Sequence, residues 1–186
     1  MLAGAAGIVL AASAGLRAFL PLLGLGLASR FLGWPIAESM QWLATDAGLI
    51  GLSVAALVEI AADKVPAVDH VLDVIHTITG PLAGALVAYT AWGDFSSPAA
   101  IVMALALGAP TAAGVHLMAA AVRVKSTVLT AGLGNPAVSV AEDGVSIGAI
   151  AIALLAPLVA VVVALAVLFL FARFVVRRMA GPKAIS

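Results

Sequence analysis

About five apolar runs govern what this chain can become: residues 2–28, 47–62, 78–92, 99–122 and 147–172. A helix needs on the order of 20 residues to cross the hydrocarbon core of a bilayer. Residues 78–92 are short alone, and residues 66–77 extend them as one helix. Hydrophobic residues make up 64% of the 186 and charged residues 10%, which leaves too little polar surface to coat a soluble globule. The same balance excludes disorder, which needs low hydrophobicity and high charge. The expected fold is all-α: a small polytopic helical membrane protein, one domain over residues 1–186, with a re-entrant Gly-rich segment near residues 132–135.

Nine Lys and Arg balance nine Asp and Glu with no basic tract, so the expected partner is the lipid bilayer and not nucleic acid. The chain has no cysteine, which removes disulfides, thiolate metal sites and Cys nucleophiles. Residues 11–14 have the look of a signal-peptidase site, but the first basic residue is Arg17 and the apolar run continues past it, so a retained membrane helix is expected. Residues 29–46 carry Trp34, Pro35 and Trp42 and suit the headgroup level. Arg173, Arg177, Arg178 and Lys183 follow the last run and predict a cytoplasmic C-terminus. Counting back through five spans puts Lys64, Arg123 and Lys125 on the outer side, against the positive-inside rule. Either they sit in polar cavities or the span count is off by one.

Two polar segments interrupt this background. The first reads EIAADKVPAVDHVLDVIHT, from Glu59 to Thr77. Glu59 and Asp63 are four apart and share a helix face. Pro66 suits the first position of a new helix. In that helix Asp69, Asp73 and His76 form one stripe, and His70, Asp73 and Thr77 an adjacent one. Three readings fit: carboxylate and imidazole ligands for a divalent metal ion on Asp69, Asp73 and His76, a proton or ion pathway, or a solvated helix on the membrane surface. The second segment runs from Arg123 to Asp143 and looks too polar and Gly-rich for a lipid-facing helix. Gly132 and Gly134 permit a tight turn. Asn135 before Pro136 reads as a helix cap. A helix start there, with Arg123, Lys125, Ser126 and Thr127 beside it, would suit an anion or carbonyl group; an ordinary capped loop fits equally.

Arg17 lies inside the first apolar run, where a charge is costly unless paired. Glu59, Asp63, Glu142 and Asp143 are its candidate partners, in a structural ion pair ahead of substrate binding. His116 lies seven residues before Arg123 on the same helix face and reads as hydrogen-bonded structure ahead of a ligand. Pro110 and Pro157 are expected to kink their helices. No nucleophile elbow, phosphate-binding loop, zinc-protease or dinucleotide signature is present.

GLRAFLPL from Gly15, the segment from Glu59 to Thr77, GVHL from Gly114, and ST…GLGNPAVSVAED from Ser126 occur in this order along the chain. Together they resemble a bacterial membrane family known as domain of unknown function 4126. The resemblance implies a bacterial inner-membrane protein, multi-pass, with two polar signature segments, and implies no chemistry.

The preferred expectation is a small transporter or channel for an ion or small polar solute. Glu59, Asp63, Asp69, His70, Asp73 and His76 would line its path, and Arg17 and Lys64 would hold the acids electrostatically. So short a chain would need to form a homo-oligomer to enclose a path. A metal-dependent enzyme acting on a lipid phosphate or isoprenoid is the alternative, with a divalent metal as cofactor. A structural or assembly protein is the third.

Overall fold

The computed structural model describes the backbone of residues 2–92 and 98–179, with side chains except at 2, 3, 66–73, 157, 164, 167, 168, 171 and 174–179. Among the described residues the fold is all-α. Eight helices follow one another: α1 (Leu2–Ala14), α2 (Phe19–Leu32), α3 (Asp46–Ala62), α4 (Pro66–Ala91), α5 (Pro98–Met103), α6 (Ala109–Thr130), α7 (Asn135–Leu155) and α8 (Pro157–Met179). A 3₁₀ segment (Glu38–Ala44) precedes α3, and a π-helical turn (Ala104–Gly108) joins α5 to α6.

Helix α1 is apolar on every side, and a helix of that kind belongs in an interior. It lies among α4, α6, α7 and α8, and Ala6, Val9, Leu10, Ala11 and Ala14 are buried. Backbone approach sets its neighbours: a Cβ on Gly15 would stand 2.3 Å from the Ala112 carbonyl oxygen of α6. Helix α2 keeps Pro21 in its first turn, where the missing N–H costs nothing. It ends at Gly33 in the left-handed region, φ 65°. Thr45 caps α3 by accepting from the Gly48 N–H at 3.1 Å, and Pro66 opens α4.

Three helices are long and apolar enough to cross a membrane: Val74–Ala91 within α4, the continuous Pro98–Thr130, and Asn135–Leu155. The 3₁₀ segment and α3, bent by 72°, qualify together as a fourth span. The chain is thus a helical membrane protein. The joining of residues 66–77 to the third apolar run is as expected.

Other boundaries differ. The first run is two shorter apolar helices, Gly4–Ala14 and Phe19–Leu32; at 1.5 Å rise per residue, 14 residues reach about 21 Å, short of a hydrocarbon core of roughly 30 Å. The fifth run is divided at Ala156 between α7 and α8, because Pro157 starts a new helix instead of kinking one. The polar stretch after Arg123 is mostly helix: α6 continues to Thr130 and α7 starts at Asn135. It tolerates helix because Arg123, Asn135, Ser139 and Glu142 turn inward, while Val122, Val124, Val128 and Leu129 are exposed. The Gly-rich element shrinks to the turn 131–134, where Gly132 has φ 86° and Leu133 is 87% exposed.

Candidate functional site

The breaks in the helices organise the polar residues. Arg17 falls between α1 and α2, and Asp63 and Lys64 between α3 and α4. Asp63 follows the C-terminus of α3, the end of a helix dipole that repels a carboxylate. Two guanidinium groups offset that cost on one oxygen. Arg17 Nη1 donates to Asp63 Oδ2, and Arg123 Nη2 donates to the same oxygen at 3.1 Å. Asp63 Oδ1 is buried and accepts no hydrogen bond from the described residues.

Helix α7 supplies the facing wall. Asn135, Ser139, Glu142 and Ser146 are all buried on it, at spacings of four, three and four. This is one stripe of a helix face. Arg17 Nη2 donates to Ser139 Oγ at 3.0 Å and lies 3.9 Å from Glu142 Oε2. Arg17 Nε donates to Asp143 Oδ1 at 2.6 Å. Arg123 Nε donates to Glu142 Oε1 at 3.1 Å, and its Nη2 donates to Oε2 of the same carboxylate. Lys64 Nζ donates to Asp143 Oδ2 at 2.7 Å and to the Ile60 carbonyl at 3.0 Å. Arg17 thus joins three of its four candidate acids and is wholly buried. The two polar segments meet in this network.

The fourth acid, Glu59, caps instead of pairing with Arg17. Its two oxygens accept from the backbone N–H groups of Ala18 at 2.8 Å and Phe19 at 3.2 Å, the free donors at the start of α2. His76 Nε2 stands 3.2 Å from Glu59 Oε1. The rings of His76 and His116 meet edge to face with centroids 6.1 Å apart. Glu59, Asp63, Glu142 and Asp143 thus share this described cluster with Arg17, Lys64, Arg123 and His76.

The expected anion-binding element lies at one end of the cluster. Asn135 does not cap α7: its Nδ2 donates to Thr127 Oγ1 at 3.0 Å, and its buried Oδ1 accepts nothing from the described residues. Thr127 Oγ1 in turn donates to the Arg123 carbonyl at 2.9 Å. The capping expectation fails because Thr127, one helix over, offers a side-chain partner. Gly134 sits close to α6, where a Cβ would stand 2.6 Å from the Ser126 hydroxyl oxygen. Lys125 is exposed and joins none of the described acids. The side chains of Asp69, His70 and Asp73 lie outside the described residues, so the expected metal trio is represented by His76 alone. Among the described residues no group of three or more acids and histidines is disposed to hold a metal ion.

Ser13, Ser139 and Ser146 belong to this interior and were not among the expected site residues. Ser13 and Ser146 pair through their hydroxyls at 2.7 Å, joining α1 to α7. The signal for two of them was the spacing on α7: Ser139 and Ser146 flank Glu142 at helical intervals. Ser13 carried no comparable signal in its Ala-rich surroundings.

A family described as Domain of unknown function (DUF4126) matches the chain over residues 5–177. No curated protein and no solved structure matches it.

Proposed function

Since the chain belongs to the DUF4126 family, whose description carries no chemistry, we propose from the geometry that it is a small transporter or channel of the bacterial inner membrane. It passes the bilayer several times and conducts an ion or small polar solute. One observation carries the reading: an ionic network buried where two helix breaks face a third and a fourth helix, inside an otherwise apolar bundle. Ionisable groups at membrane depth are expensive, and they mark pathways when they gather. Interrupted helices at such a place are the usual construction of substrate and ion sites in secondary transporters.

In this reading Asp63 is the centre of the site, with Arg17 and Arg123 fixing it. Glu59 and His76 form the next station, toward the Asp69 and Asp73 positions of α4. The test is flux in proteoliposomes under an imposed pH gradient, with Asp63→Asn, Asp73→Asn and His76→Ala beside wild type. Loss of gradient-driven flux in the variants, with unchanged reconstitution, is the expected outcome. Variants that exchange ions like wild type would overturn the reading.

A further inference from the structure

The ionic network is graded in depth. The side chains of Arg17 and Asp63 are fully buried and those of Arg123 and Glu142 nearly so, while Asp143 is 14% exposed and Lys64 35% exposed. Lys64 is the outermost of them. A lysine at the edge of an apolar body lays its stem along the protein and turns its ammonium toward water. Lys64 stands in the break between α3 and α4 and reaches across to Asp143 on α7. Behind that contact, Asp143 Oδ1 accepts from Arg17 Nε, and Arg17 leads on to Asp63 and Ser139.

Two observations single out the Lys64–Asp143 contact as the one that opens. First, both ends keep a partner when it breaks. Lys64 Nζ also donates to the Ile60 carbonyl of α3 at 3.0 Å, on its own side of the gap. Asp143 still holds Arg17 through its other oxygen at 2.6 Å. Breaking the Arg17–Asp63 or the Arg123–Glu142 contact would instead leave a buried charge short of compensation, which is far more costly. Second, Lys64 is partly exposed, so its pairing is weak and screened by salt, whereas the inner pairs are screened much less.

We propose that Lys64 is the water-side gate of the pathway. With its ammonium on Asp143 it closes the gap between the α3–α4 break and α7. When the ammonium rests on the Ile60 carbonyl alone, the gap opens, and water reaches Asp143, Arg17 and Ser139. One flexible side chain moves and the inner pairs stay made, so the packing of the bundle is undisturbed. This inference rests on the transport reading and gives it the step that controls access.

The test is the rate at which a membrane-impermeant thiol reagent, trimethylammonium-ethyl methanethiosulfonate, modifies Ser139→Cys in the full-length protein. Lipid nanodiscs leave both faces open to the reagent, and the chain has no native cysteine to compete. Ser139 is buried one helical turn before Asp143. With Lys64 in place, modification should be slow at low salt and quicken as salt is raised. Lys64→Met should speed it by about fivefold or more at low salt, the order of shift that a partly exposed ion pair supports, and should remove the dependence on salt. Lys64→Arg should restore the slow rate. Thr90→Cys, at a buried position near the far end of α4, should stay slow in every case. Equal rates with lysine and methionine at position 64 would overturn the proposal. So would an equal rise at Thr90→Cys, which would show general loosening. The salt series keeps the native lysine, so a rate that ignores salt overturns the gate even if Lys64→Met fails to fold. That result beside flux that still depends on Asp63 would sink this inference and leave the transport reading standing. Gated modification with no flux of any kind would do the reverse.

Discussion

Arg17 is the residue on which the interior turns. Its guanidinium reaches Asp63, Asp143 and Ser139 from three separate nitrogens, a span that a lysine ammonium, with its donors on one atom, cannot match. Truncation leaves Asp63 and Asp143 with only part of their compensation. Arg17→Ala should therefore destabilise the protein by about 3–5 kcal/mol, the usual penalty for breaking a buried pair from one side. Thermal unfolding in detergent measures this. Arg17→Lys should fall between wild type and alanine, and Arg17→Ala combined with Asp63→Asn should cost less than the two single changes added together, since they share one interaction. Additive costs would mean the two side chains do not depend on each other. At this scale much was legible: a lone arginine in an apolar run demanded an acid, and the candidates were few. Glu59 deceived because it is also an acid of the right segment, yet the first N–H groups of α2 were a competing claim on it that only the position of the break reveals.

Helices here are positioned by what they lack. Gly15 lets α1 touch the α6 backbone, and Gly84 lets α4 meet α6, where a Cβ would stand 2.3 Å from that of Ala112 and 2.7 Å from the Gly108 carbonyl oxygen. Close backbone approach through small residues is how membrane helices gain packing without a hydrophobic drive between them. Gly15→Ala should lower the detergent melting temperature markedly, while Gly148→Ala, with nothing within 4 Å of the new methyl, should leave it unchanged or raise it slightly. Equal effects at the two positions would contradict the packing described for α1. The π-helical turn before Pro110 belongs to the same account: proline cannot donate an N–H to the preceding turn, and the helix adjusts its register there instead of ending. The π-helical turn cannot be read from hydrophobicity, which is uniform across it, and the break after Ala14 is marked only by Arg17 within an apolar run. The polar stripe on α7 was readable from spacing, whereas the turn between α6 and α7 looked longer than it is because inward-facing polar residues of a helix resemble a loop in one dimension.

For the whole molecule, composition settled the class and could not settle the layout. Lipid tails and a protein interior are about equally apolar, so an inner helix such as α1 and a lipid-facing one read alike. That is why the first and last runs each read as a single span in the sequence. The exposed turn at Leu133 offers a direct check on how the chain crosses the membrane. The chain has no native cysteine, so Leu133→Cys should be labelled by a membrane-impermeant maleimide from one side of sealed inverted or right-side-out vesicles and not the other; labelling from both sides would exclude a fixed topology. Arg17 leaves the ribosome long before its partners: Asp63 follows 46 residues later and Asp143 follows 126 later. At about 5–20 residues per second, the second interval is on the order of ten seconds. For that period Asp63 is the only one of the two counter-charges that can have been made, so the ionic network around Arg17 closes only after α7 is synthesised.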